Sequence, residues 1–170
     1  MRKRMLVLLL AIFVMGCGSQ TTEKPSEEKT TVAKKPSNYV EKGMNYLKQQ
    51  DITKAIRSFD LAIKEDPNNS VNYIILGEVY LRLKDYVRAA DTFRASTKVD
   101  PDNGEAYYLL AAANAVMQRQ SEGEKAEFFR KEAVDAAQKS VEIYMKHKDA
   151  ERFKKAVVLL RSLSESGSAQ

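Results

Sequence analysis

Asp66-Pro67-Asn68-Asn69 and Asp100-Pro101-Asp102-Asn103 stand 34 residues apart, and the residues around them recur at the same interval. A period of that length constrains the fold more than any other property of the chain. It marks a stack of helix pairs, in which one pair cannot bury its apolar face alone and must lean on its neighbours. The 170 residues suffice for one such body with a proper core, since domains commonly run to roughly 100–150 residues. They leave no room for a second, catalytic domain.

Within each period the apolar residues follow helical spacing. Tyr39, Gly43 and Tyr46 line one side of a first helix that begins after Ser37, and Ala55, Phe59 and Ala62 line a second that ends before Pro67. The next unit repeats this with Tyr73, Leu76, Gly77 and Tyr80, then Ala89, Phe93 and Ser96 before Pro101. This order of aromatic, Leu-Gly, Tyr, Ala, Phe and Pro resembles the tetratricopeptide repeat. Only Ser96 departs from it mildly in the second unit, and Lys42 replaces the Leu in the first. The resemblance implies an all-α array whose glycines and alanines allow helices to approach closely, with Tyr80 and Phe93 filling the space between them.

A third unit opens with Tyr107 and Leu110 and then departs from the pattern: Ala111 stands where Gly is expected and Asn114 where Tyr is expected. Ala133, Ala137 and Ser140 continue the small-residue stripe only if about ten residues are inserted within 118–128. Ser121-Glu122-Gly123-Glu124 has capping-box spacing and predicts a long helix from near Ser121 to about Lys146. From Asp149 a last helix carries Phe153, Ala156, Val157, Leu160 and Leu163 on one face, as the cap that a solenoid needs. The expected repeat domain, three units with an insertion in the third or two units and an atypical hairpin, plus this cap, therefore spans 37–164, with a polar tail at 165–170.

The amino terminus reads differently. Arg2-Lys3-Arg4 precedes an uninterrupted apolar run from Met5 to Met15, too short for the ~20 residues that span a bilayer. Val14-Met15-Gly16-Cys17 resembles the lipobox of bacterial lipoprotein signal peptides. That resemblance implies a signal peptide over 1–16, removed so that Cys17 becomes an acylated membrane anchor, and it places the protein in a bacterial cell envelope. Gly18 in place of Asp points to the periplasmic face of the outer membrane if the source has two membranes. Residues 17–36 are rich in Ser, Thr, Glu and Lys with one sizeable aliphatic residue, Val32, and are expected to form a disordered tether spanning roughly 25 Å. Cys17 is the only cysteine, so neither a disulfide framework nor a cysteine metal site is available.

The charge balance excludes an obvious nucleic-acid partner. The net charge of +5 includes Arg2, Lys3 and Arg4; without them 25 basic residues face 23 acidic ones, a balance of +2, and these alternate along helices rather than cluster. Catalytic groups are equally scarce. His147 is the only histidine and sits between Lys146 and Lys148, where a solvated partner for a helix dipole is expected. No nucleophile–base pair and no glycine-rich phosphate loop can be assembled. We therefore expect no enzyme, cofactor or metal.

In tetratricopeptide arrays the first helix of each unit lines a concave groove. One step off the signature positions this gives Val40, Met44 and Leu47; then Val71, Ile74 and Leu81 with Glu78 and Arg82 interspersed; then Tyr108, Ala112 and Val116. Two occupants compete for such an apolar stripe: an extended or amphipathic segment of a protein partner, or the chain's own linker or a second copy. Related modules that grip the charged carboxyl terminus of chaperones use Lys and Asn where Val40 and Met44 stand, which disfavours that ligand. The expected role is an adaptor for envelope assembly, in pilus biogenesis, secretion, outer-membrane or cell-wall construction; a lipid or small-hydrophobe carrier is the alternative. Phe128 and Phe129 cannot both point to one side of a helix, so either one ring is exposed or both pack under a lengthened turn.

Overall fold

The computed structural model describes residues 37–165, and the amino-terminal segment with Cys17 and its tether lies outside them, as do the last five residues. The described residues form seven helices and no strand: α1 (Asn38–Lys48), α2 (Ile52–Glu65), α3 (Ser70–Arg82), α4 (Tyr86–Val99), α5 (Gly104–Arg119), α6 (Gly123–Lys146) and α7 (Ala150–Glu165). Consecutive helices pack pairwise as antiparallel hairpins, and α2 and α4 each also rest on the first helix of the next unit.

The repeated Asp-Pro turns work as paired caps. Asp66 and Asp100 close α2 and α4, and Asn69 and Asn103 open α3 and α5. The Asn69 carboxamide oxygen accepts from the Val71 amide at 3.2 Å, and that of Asn103 accepts from Glu105 and Ala106 at 3.1 and 3.2 Å. Inside the first two units, Phe59 and Phe93 are fully buried. Each lies against a glycine of the facing helix: a Cβ on Gly43 or Gly77 would sit 2.5 Å from a ring carbon of Phe59 or Phe93. Ring and missing side chain are thus one packing device. Ser96, which departs from the pattern, donates from Oγ to the Ser70 carbonyl at 3.0 Å, and Ser140 does the same to Gly104 at 2.9 Å. A small hydroxyl at this position ties the two helices of a unit together.

The turn between the helices of a unit has its own grammar. Gln50 and Lys84 adopt left-handed backbone at φ 62° and 59°, and the amides of Asp51 and Asp85 reach back to the carbonyls of Tyr46 and Tyr80, both at 2.9 Å. Lys148 at φ 56° and Asp149, whose amide donates to the Tyr144 carbonyl at 3.0 Å, repeat it between α6 and α7. In all three turns the Asp carboxylate caps the next helix and pairs with the cation three residues on, Lys54, Arg88 or Arg152. The hairpin turn of the regular units therefore reappears before the last helix.

The ten-residue insertion is wholly helical. Ala133 and Ala137 follow Ala89 and Phe93 by 44 residues instead of 34. Three of the ten extra residues lengthen α5, which has 16 residues against 13 in α3. The other seven extend the start of α6, leaving the link as short as in the second unit. The long helix ends at Lys146 as expected, but it begins at Gly123 rather than Ser121, and Glu122 caps it with no side-chain hydrogen bond. Gly123 has φ +57°, so the backbone turns left-handed where a capping box would need helical geometry. The last helix runs one residue past the expected boundary, through Glu165. His147 is exposed at the carboxyl-terminal cap of α6, as expected of a solvated helix end, and its ring also lies 2.7 Å from Asp102, which Lys146 contacts at 2.8 Å.

Candidate partner-binding surface

The residues expected to line the groove separate into three groups. Met44 (46% exposed), Val71 (52%), Glu78 and Arg82 face solvent. Val40, Leu47 and Leu81 are half-buried and pack on the core, and Tyr108, Ala112 and Val116 are half-buried as well. Ile74, by contrast, is only 7% exposed and cannot be a contact residue for a partner. The reason is its place in the stack: α3 has a unit on either side, whereas α1, which carries the equivalent Val40, has a neighbour on one side only among the described residues. Met44 and Val71 are thus the apolar side chains of this stripe most open to a partner.

Toward the end of the array the same edge turns polar. Glu105, Tyr108 and Leu109 of α5, Tyr144 of α6, and Arg152 and Lys155 of α7 surround a hollow of about 150 Å³. Burial pushes the Tyr144 hydroxyl up to about 12, helped by the charge of Glu105, so it stays a neutral donor at physiological pH. Elsewhere the shifts follow the caps: the Lys54 side chain holds the Asp51 carboxyl below its usual range, and the Arg88 amide and guanidinium do the same for Asp85. Among the described residues no group of three or more His, Cys, Asp or Glu is arranged to hold a metal ion, and no helix is long and apolar enough to cross a membrane.

A second concavity lies at the Phe128–Phe129 pair, the other candidate that the sequence offered. Val87, Ala90, Asp91 and Arg94 of α4, Met117 of α5, and Phe128, Phe129 and Glu132 of α6 line an open notch of about 310 Å³. Of the aromatic pair, Phe129 packs on the core and Phe128 is 57% exposed, with the rings edge-on at 5.5 Å. The two adjacent aromatics were the only sequence signal for this place, because Val87 looks like any other exposed residue of a first helical turn.

These paired helices, capped Asp-Pro turns and glycine-facing phenylalanines form a helical-hairpin array of the tetratricopeptide type. Residues 46–113 match the family model described as Tetratricopeptide repeat (TPR_19). Solved structures agree on the fold. The TPR2B domain of yeast Sti1, in a complex with pHsp70, superposes with a TM-score of 0.62 over 75% of this chain and 94% of that one at 15% identity. The first tetratricopeptide domain of Spaghetti (RPAP3), bound to the HSP90 peptide SRMEEVD, gives 0.60 over 76% and 90% at 22% identity. The type III secretion translocator chaperone SycD of Yersinia enterocolitica gives 0.62 over 76% and 83% at 13% identity. At such identities the likeness is one of fold. No curated protein matches the sequence.

Proposed function

We propose that this chain is a lipid-anchored adaptor of the bacterial cell envelope, which holds an apolar or amphipathic segment of a protein partner along the inner edge of α1, α3 and α5. The observation that carries this reading is the stripe itself: Met44 and Val71 stand about half exposed beside the half-buried Val40, Leu47, Leu81 and Tyr108. Apolar groups left open along the first helices of a repeat array fit a helix or extended segment that brings apolar anchors of its own. The similar domains of Sti1 and RPAP3 are described with chaperone ligands; here Val40 and Met44 offer no charge to a terminal carboxylate, so the segment is read by apolar contact instead. Glu78 and Arg82 then set its register from the rim. The anchor rests on Cys17 within Val14-Met15-Gly16-Cys17, and envelope assembly is the process that such an anchor serves.

A photo-reactive phenylalanine analogue in place of Val71, activated in the producing cell, tests the contact. A discrete protein adduct that disappears when Met44→Glu is added is the expected result. Adducts to lipid alone, or none, would overturn the adaptor reading in favour of a hydrophobe carrier or an unused edge. Radiolabelled palmitate should mark the wild-type protein and not Cys17→Ser.

A further inference from the structure

We propose that the hollow between α5, α6 and α7 is a subsite for one carboxylate of the segment held along the inner edge. That the partner brings this carboxylate rests on the adaptor reading above; the affinity of the hollow for it does not. Glu105, Tyr108 and Leu109 of α5, Tyr144 of α6, and Arg152 and Lys155 of α7 surround about 150 Å³. A cavity of ~150 Å³ accommodates a benzene ring, so a carboxylate head fits with room to spare. Tyr108 belongs to the half-buried stripe and to the hollow alike, so a segment lying along α5 reaches it without leaving the edge. It stands at the opposite end of the array from Val40 and Met44, which offer no charge.

The hollow is lined by donors that the chain itself does not use. Tyr144 is only 7% exposed, and its hydroxyl makes no hydrogen bond among the described residues. A buried hydroxyl without a partner is destabilising, and an acceptor in the hollow removes the penalty. Burial and the charge of Glu105 keep that hydroxyl protonated, so it is available to donate. Lys155 is exposed and has no ion pair among the described residues. Arg152 departs from its counterparts in the two regular hairpin turns, where the equivalent cations lie over tyrosine rings: Lys54 is 5.6 Å from the Tyr46 centroid and Arg88 4.7 Å from that of Tyr80. In the third copy of the turn the Tyr144 ring lies against Gly104 instead, and Arg152 makes no ring contact. Its one side-chain partner is Asp149 at 3.5 Å, which leaves most of the guanidinium donors free. Two cations and a buried hydroxyl, all with donors to spare, are met best by an acceptor with two oxygens and a negative charge. Glu105, the only acid of the lining, is unpaired as well, and its repulsion limits the affinity.

Titration of the full chain in a neutral detergent with three short peptides, followed by the amide NMR signals of Leu109 and Arg152, tests the proposal. Acetyl-Leu-Asp-Leu-amide offers a side-chain carboxylate, acetyl-Leu-Asn-Leu a terminal one, and acetyl-Leu-Asn-Leu-amide none. At least one charged peptide is expected to bind, and which one does so identifies the source of the carboxylate; the uncharged peptide should bind at least about tenfold more weakly. Arg152 and Lys155 are exposed, so Arg152→Gln combined with Lys155→Gln should leave the fold intact and raise the dissociation constant at least about tenfold. Tyr144→Phe should raise it about fivefold, and Glu105→Gln should lower it. Silence toward both charged peptides, equal binding of the uncharged one, or an unchanged constant in the double variant would overturn the proposal. Peptide binding here with no photo-adduct at Val71 would remove the partner and leave the site, and an adduct without peptide binding would remove the site alone.

Discussion

The first two units and the third differ in cap and in filling: Asp51 and Asp85 cap the second helices of the regular units, whereas Glu122 caps α6 with no side-chain hydrogen bond. In the regular units a large ring meets a glycine: Phe59 faces Gly43 and Phe93 faces Gly77. At the equivalent places the third unit has Ala137 for the ring, Ala111 for the glycine and Asn114 for Tyr46 or Tyr80, all fully buried. Two buried alanines thus stand where the regular units have one large ring and one missing side chain, and neither residue matches the pattern. The third unit keeps one pairing of the older kind, at its end: a Cβ on Gly104 would sit 2.8 Å from the Tyr144 ring.

Truncating a ring should expose the contrast most strongly. Phe93→Ala is expected to cost about 3–5 kcal/mol in a denaturant melt, because the ring is wholly buried and nothing adjacent can collapse into its place. A loss near zero would mean that the ring does not fill the second unit. Gly77→Ala comes next, at about 1–3 kcal/mol from overpacking against that ring. In a Phe93→Leu background the same alanine should cost much less, and additive losses would break the claim that ring and glycine act as one device.

The third unit should respond in the opposite direction. Asn114 donates to the Leu110 carbonyl at 3.0 Å, but its buried carboxamide oxygen has no partner. Asn114→Leu should therefore raise stability by about 1 kcal/mol, and a loss of that size would show the amide to be satisfied after all. The smallest effect is read as a pH dependence. Tyr144 titrates near 12 in the folded protein, above its ordinary value of 10, so its contribution to stability is complete below pH 10 and disappears as pH rises toward 12. Tyr144→Phe should flatten the decline in melting temperature over that interval, whereas an unchanged slope would place the alkaline sensitivity elsewhere.

Much of this was legible from residue spacing. The 34-residue interval and the Asp-Pro turns foretold the hairpins and the ends of α2 and α4, and the displaced stripe of Ala133, Ala137 and Ser140 foretold the insertion. Three features were hidden for physical reasons. Ile74 shares a helix side with Met44 and Val71, but periodicity gives direction and not how far the flanking units cover a side chain. Ser121-Glu122-Gly123-Glu124 has the composition of a capping box, and the left-handed φ of Gly123 decides otherwise. The turn shared by Tyr46–Lys54, Tyr80–Arg88 and Tyr144–Arg152 escaped notice because its third copy is displaced from the 34-residue frame and joins helices of a different pair.

If the inner edge grips a partner, two equally conspicuous valines must answer differently to the same substitution. Val71 on α3 and Val158 on α7 are 52% and 68% exposed, and each can accept a charge without harm to the fold. Quantitative capture of co-purifying proteins from membranes should fall at least about tenfold for Val71→Glu and stay at the wild-type level for Val158→Glu, since a buried charge in an apolar contact costs more than the 1.4 kcal/mol of one decade. Equal capture by both variants, or equal loss in both, would contradict it.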